Sequence, residues 1–391
     1  MKKHVKNSLL GRFHFDPLLV IVSASLLAIG YIMMASSSLH LGIKETGNSL
    51  HYPIRQSLHI ALGIILGICV ALTPIRVWEK SGQWLFIFGI LLLIVVLVPG
   101  LGVKVNGSTR WLSIFGMRVQ VSEVVKFFSV IYMAGYVTRH QESIRKSIFA
   151  LFKPIILFSG ACILLLMEPD FGSAVVIMII AMGIMFLAGA RLSPFIILLS
   201  SGSVLAALLV YFEPYRMKRV TSFLNPWADA KDTGYQLVHA LISFGRGEWV
   251  GVGLGSGIQK LFYLPEAHTD FLFSVIAEEL GLLGVLTVIG LFALLVWRTF
   301  EIAAAAEKAD ERFSAFIAYG LGIWFGFQSF VNMGVNMGIL PTKGLTLPLM
   351  SYGGGSMMIM CCAVALIFRI QSEVTEINAS MPKERSRWQS A

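Results

Sequence analysis

Apolar residues run in long blocks along this chain, broken by short polar stretches and showing little regular alternation. Read as helices, the blocks fall at 17–37, 54–74, 84–99, 120–138, 152–167, 172–189, 194–212, 270–297, 313–336 and 347–369. About 20 residues at 1.5 Å rise cross roughly 30 Å of hydrocarbon, and most blocks approach that length. Backbone groups in hydrocarbon must pair within their own segment, which selects helices over open strands. The pattern predicts an all-α, polytopic membrane protein of about ten transmembrane helices. Only 213–269 has room for structure outside the membrane, and its stretch TGYQLVHALISFGRGEW predicts a short amphipathic helix at the interface. The expected organisation is a tail at 1–16, a helical domain at 17–369 that includes this loop, and a tail at 370–391.

Composition supports that reading. The 391 residues are 56% hydrophobic and 14% charged, against about 25% charged in an ordinary soluble domain. The formal charge of +9 comes without a basic stripe interleaved with aromatics, so it points to lipid headgroups and not to nucleic acid. An even number of spans puts both termini on one side. With that side cytoplasmic, it gathers the basic residues of the two tails together with Arg76, Lys80, Arg139, Arg145, Lys146, Lys153, Arg191, Arg298, Lys308 and Arg312. The short outer loops and adjoining helix ends carry Lys44, Arg55, Lys104, Arg110, Arg118, Lys126 and Lys343, a bias that fits the positive-inside rule. The four cysteines lie in apolar segments without CxxC spacing, which argues against a disulfide framework or zinc site. The first apolar block is too long for a signal-peptide core and is expected to be a retained helix.

Five polar clusters interrupt the apolar pattern. LPEAHTD places His268 and Asp270 at the mouth of the eighth block, with Glu278 and Glu279 inside it. Asp270 is suited either to cap that helix or to take a proton from a bound hydroxyl. Glu123 and Lys126, in SEVVK, are three apart on one helical face, as an ion pair or as part of a substrate cavity. MEPDFG, with Glu168 and Asp170, reads as a turn between two spans. Gln328, Asn332 and Asn336 form an i,i+4 stripe that can bond neighbouring helices or meet a polar headgroup. PTKG offers Lys343 to phosphate, and SYGGGS offers close backbone packing. The glycine-rich GRGEWVGVGLGSGIQK matches no phosphate-loop pattern and reads as a flexible loop close to the membrane.

These motifs occur in one order: SEVVK, EPDFG, RVTSFLNPWADAKDTGYQLVHALISFGRGEWVGVGLGSGIQKLFYLPEAHTDFLFSVIAEELG, then GVNMGILPTKGLTLPLMSYGGGS. Over roughly residues 15–370 the chain resembles the SEDS (shape, elongation, division and sporulation) family, closer to its division branch than to its elongation branch. The resemblance implies a ten-helix inner-membrane peptidoglycan glycosyltransferase that polymerises lipid II at the septum. It maps the family's essential aspartate onto Asp270, its intramembrane pair onto Glu123 and Lys126, and its loop lysine onto Lys343. A class B penicillin-binding protein (an FtsI-type transpeptidase) and other divisome proteins are the implied partners. In such a reaction a sugar 4-hydroxyl attacks an anomeric carbon and undecaprenyl diphosphate leaves, with inversion. The departing diphosphate calls for cations, and Arg216, Lys218, Arg219, Lys260 and Lys343 are candidates beside a divalent ion, Mg2+ or Mn2+. His268, Gln328 and Asn332 are the expected polar contacts of the substrate. Two other readings suit a lipid-handling bundle: a lipid II flippase, and a catalytically silent divisome scaffold.

Overall fold

The computed structural model describes residues 14–380 apart from 106–107, 115, 147–148, most of 192–220, and 342–343. The helices are α1 (Pro17–Thr46), α2 (His51–Leu72), α3 (Ile75–Leu97), α4 (Val121–Lys146), α5 (Phe149–Met167) and α6 (Phe171–Leu187). They continue as α7 (Tyr235–Gly247), α8 (Leu272–Lys308), α9 (Arg312–Asn336) and α10 (Gly354–Ser380). Among the described residues, eight helices are long and apolar enough to cross a membrane, and α6 is a shorter apolar helix. The chain is thus a helical polytopic membrane protein. The seventh expected span, 194–212, falls largely outside the described residues.

Local chemistry explains several boundaries. Asp16 accepts a hydrogen bond from Leu19 N at 2.8 Å, and Pro17 takes the first position of α1, where its missing N–H costs nothing. At the other end Gly47 adopts φ 71° and donates to Ile43 O. Two expectations need correction. The third span begins at Ile75, nine residues before the apolar block suggested, because Pro74 sets its entry and polar Glu79 and Lys80 ride on its exposed side. The last span starts at Gly354, not 347, since residues 345–353 form a buried, non-helical segment with Leu345, Leu347, Leu349 and Met350 inside the bundle.

An all-helical protein was expected, yet a small antiparallel sheet fills the connection from α3 to α4. Its strands β1 (Gly102–Val105), β2 (Ser108–Ile114) and β3 (Met117–Gln120) pair in chain order, with Trp111 opposite Val103 and Gln120. β3 runs directly into α4. Gly355 of α10 lies so close to it that a Cβ there would stand 2.8 Å from Gln120 N. The sheet thereby caps the end of the bundle where the polar clusters lie.

Helices α4, α9 and α10 are mostly buried, whereas α2, α3 and α5 turn most of their apolar surface outward, as lipid-facing helices do. α2 packs on α10, α8 on α9, and α3 on α4, while α4, α6 and α9 meet one another.

Candidate active site

The polar stripe of α9 has a specific physical task. Backbone that is not helical inside a membrane protein needs partners from the protein itself. Asn332 Nδ2 donates to Asp270 O at 2.9 Å and to Leu345 O at 2.6 Å. Asn336 Nδ2 donates to Asp270 O at 3.0 Å, while its Oδ1 accepts from Ser274 N and Oγ. Gln328 Nε2 donates to Thr346 O at 2.9 Å. The stripe stitches the start of α8 to the buried 345–353 segment. Ser351 Oγ adds a bond to Thr269 O, and Tyr352 N one to His268 O. Three consecutive carbonyls, from His268 to Asp270, are therefore held by donors.

The Asp270 carboxylate is left over from this clamping. It accepts no hydrogen bond from a described residue, and α8 starts after it with Phe271 at the N-cap and no side-chain cap. The expected capping role of Asp270 is therefore not seen: its backbone is fixed and its carboxyl points elsewhere. Asp270 is part-exposed, but protein surrounds it closely. Burial, reinforced by Glu266 and Asp170 and opposed by Arg110, pushes its pKa up to about 7. Gly344 is near enough that a Cβ on it would stand 3.1 Å from Asp270 Oδ2. Beside Asp270, His268 packs its ring edge-on to Tyr52 (5.1 Å between centroids) and tilted to Tyr352 (5.5 Å). Burial lowers the His268 pKa against the pull of Glu266 and Glu45, so the ring is neutral at pH 7.

The SEVVK pair is buried and joined to the same network. Lys126 Nζ lies 2.7 Å from Glu123 Oε1 and 2.9 Å from Gln328 Oε1, with the Trp324 ring 5.4 Å away. Through Gln328 the pair connects to Thr346 and so to the segment facing Asp270. Glu123 Oε2 has no hydrogen-bond partner among the described residues. Next to Glu123, Ser122 Oγ donates to Asp170 Oδ2 at 2.9 Å, and Asp170 Oδ1 caps α6 at Ser173 N. MEPDFG is thus more than a connector. Arg110, carried by β2, donates to the carbonyls of Glu168 (3.0 Å) and Pro169 (2.5 Å). The fully buried Glu168 carboxyl has no hydrogen-bond partner among the described residues, and its pKa rises to about 8 through burial and Asp170, against Arg110. Arg110 counted in the sequence only as one outer positive charge. No signal there marked it as the cation beside both carboxyls, because the sheet that brings it was not visible.

Lys260 is already engaged: its Nζ is buried in contact with Glu279 Oε1 (2.5 Å) and Ser36 Oγ (2.8 Å), a closed ion pair. Glu278 accepts from Arg246, Ile258 N and Gln259 N. Both glutamates of α8 thus anchor the preceding loop. Arg216, Lys218, Arg219 and Lys343 lie outside the described residues. Among the described residues no group of three or more His, Cys, Asp or Glu side chains is gathered as a metal-binding set.

Comparison with known proteins gives this geometry its context. The chain is 64% identical over 376 residues to a probable peptidoglycan glycosyltransferase FtsW of Methylomonas methanica, covering 96% of this chain and 97% of that one. It is 56% identical to the corresponding protein of Methylococcus capsulatus, covering 93% and 91%. Among solved structures it resembles a chain of a peptidoglycan synthase complex studied for coordination of polymerization and crosslinking. There the TM-score is 0.76 at 27% identity, with 92% and 98% covered. The rod shape determining protein RodA of Thermus thermophilus superposes with TM-score 0.67 at 25% identity, with 92% and 97% covered. The model of the FtsW, RodA and SpoVE cell cycle proteins matches residues 17–376, and with such coverage the chain belongs to that family.

Proposed function

We propose that this chain is a peptidoglycan glycosyltransferase of the cell-division machinery, polymerising lipid II with Asp270 as the general base. The observation that carries this reading is the contrast within Asp270: a backbone carbonyl held by two asparagines, and a carboxyl that takes no hydrogen bond from a described residue, is part-exposed and is poised to titrate near pH 7. A general base works best when its pKa is close to the operating pH.

In the proposed step the 4-hydroxyl oxygen of one GlcNAc attacks C1 of the MurNAc that ends the growing strand. The new C1–O4 bond forms as the bond from C1 to the diphosphate oxygen breaks, and undecaprenyl diphosphate departs with that electron pair. Asp270 takes the hydroxyl proton and, being part-exposed, returns it to water. Attack opposite the leaving group inverts C1. The Glu123–Lys126–Gln328 network holds the floor under residues 345–346, and His268, Tyr52 and Tyr352 offer a neutral aromatic wall to the sugar. Arg110, Lys343 and Arg216 are the proposed cations for the phosphates. Mg2+ or Mn2+ is proposed as an ion that the diphosphate oxygens carry in.

The same reading puts about ten spans in the bacterial inner membrane, both termini in the cytoplasm, and Asp270 on the periplasmic side at the septum. The proposed partner is a class B penicillin-binding transpeptidase within the divisome. A flippase would also need a lipid path, but its transport cycle calls for no unbonded carboxyl at the bundle mouth. Purified chain with its transpeptidase, lipid II and Mg2+ in detergent, where no two compartments exist, separates the two readings. Glycan polymer on a gel is the expected result, and lipid II left intact by an otherwise folded complex contradicts it.

A further inference from the structure

The segment between α7 and Tyr263 exposes large apolar side chains while burying a lysine and a glutamine. Gln259 and Lys260 are buried at 7% and 5% exposure, whereas Trp249, Val250 and Leu254 are exposed at 71%, 72% and 57%, with the polar Glu248 and Ser256 exposed beside them. Loops in water show the reverse distribution. Nor is the segment loose. Helix α8 breaks at Gly281 (φ 64°), and the loop fills the break. Val252 N and Gly253 N donate to the carbonyls of Glu278 and Glu279, while Leu282 N and Leu283 N donate to the carbonyls of Glu248 and Trp249. The Glu279 carboxylate also accepts from Gly255 N. The approach requires glycine: a Cβ on Gly281 would meet Gly251 N at 2.3 Å, and one on Gly247 would meet Ala277 O at 1.8 Å.

These bonds fix which way the apolar side chains face. Trp249 is tied to Leu283, and Leu283, Leu286 and Trp297 are exposed along the outer face of the membrane-spanning α8. Trp249 and Val250 extend that lipid-facing belt at its end nearest the Asp270 turn. A tryptophan at such a level belongs to the aromatic belt where hydrocarbon meets headgroups. We propose that the strap 248–258 is a membrane-inserted segment whose Trp249, Val250 and Leu254 lie in the lipid leaflet beside the Gly281 break of α8. The occupant of this face is lipid, as continuity with the α8 belt requires. The strap then sets the depth of the chain that follows it, which reaches Asp270 twelve residues after Ile258. This inference rests on the membrane-spanning fold and is independent of the chemistry assigned to Asp270.

The test uses intact chain in nanodiscs sized for one copy. Fluorescence of the wild type minus that of Trp249→Phe isolates the Trp249 emission, and the same subtraction with Trp297→Phe gives a reference on α8. Trp249 emission is expected to fall at least twofold in lipids brominated on their acyl chains, as Trp297 emission does, and to stay within a tenth of its value in iodide. Quenching by iodide with no effect of brominated lipid would place the strap in water and overturn the inference. Insensitivity to both would mean that protein covers the face, which equally overturns it. If Trp249→Phe folds poorly, emission of Val250→Trp minus that of the wild type reports the neighbouring position instead, and the same outcomes apply.

Discussion

Asn332 holds Asp270 by its backbone, not by its carboxyl: Nδ2 lies 2.9 Å from the Asp270 carbonyl and 2.6 Å from that of Leu345. One side chain therefore sets the separation between the proposed base and the segment opposite it. Asn332→Asp keeps the shape but replaces the donor with a charge facing two carbonyls. A misplacement of about 1 Å costs up to 10²-fold in a positioned reaction. The expected result is a fall in kcat of that order with KM nearly unchanged, measured with lipid II and intact partner complex. Wild-type kcat in a folded variant would remove Asn332 from the positioning role.

The raised pKa of Asp270 fixes the sign of the pH dependence. The base is active as carboxylate, so polymerisation is expected to rise with pH through about 7. Arg110 lowers that pKa, so Arg110→Gln should move the midpoint to higher pH. Rate against pH for the two proteins measures this. A midpoint that stays in place or moves down contradicts the electrostatic link between Arg110 and Asp270.

The same shift has a consequence for stability. Asp270 ordinarily titrates near 3.8 and in the fold near 7, so the folded state binds the proton more tightly. Wild-type stability should therefore fall as pH rises from about 4 to 7, through this group's contribution. Asp270→Asn lacks that penalty. Its Tm should match wild type at pH 4 and exceed it at pH 8, on the scale of about 2 °C. A lower Tm at pH 8 would mean that the carboxylate is stabilised by contacts that outweigh its burial.

Lys126 neutralises Glu123 at a depth where neither meets water. Lys126→Met strands that carboxylate, at a cost of about 3–5 kcal/mol, while Glu123→Gln combined with Lys126→Met removes both charges and should recover most of it. Thermal unfolding in one detergent compares them. If the double variant is no more stable than the single, the pair is not the source of the loss.

Much of this architecture was legible because lipid imposes few solutions. The apolar blocks gave the starts of α1, α2, α4, α5, α6, α8 and α9 to within about three residues, but α1, α4 and α8 continue past the blocks to Thr46, Lys146 and Lys308. What escaped was non-helical. The 345–353 segment is as apolar as a helix, and it reads as one unless its carbonyls are known to meet Gln328 and Asn332. The strands at 102–120 are short, and their pairing is a tertiary fact. Among the site residues, the adjacency of Glu123 and Lys126 followed from helical spacing alone. Their junction with Gln328, two hundred residues away, could not follow from it. Lys260 looked like a free cation because sequence carries no sign of its partner Glu279. The polar stripe was visible, but whether it faced a substrate or a backbone depended on packing.

Whether the Asp270 carboxylate removes the acceptor proton is decided by Asp270→Asn. The substitution preserves size and leaves the Asn332 and Asn336 bonds to the backbone carbonyl intact, so the fold and the partner complex should survive. Purified complexes of wild type and variant with the transpeptidase are given lipid II and Mg2+, and glycan chains are resolved on a gel. Loss of a general base typically costs 10²–10⁴-fold, so polymer is expected from wild type and none above background from the variant. Near-wild-type polymer from a stably folded Asp270→Asn complex would contradict the account.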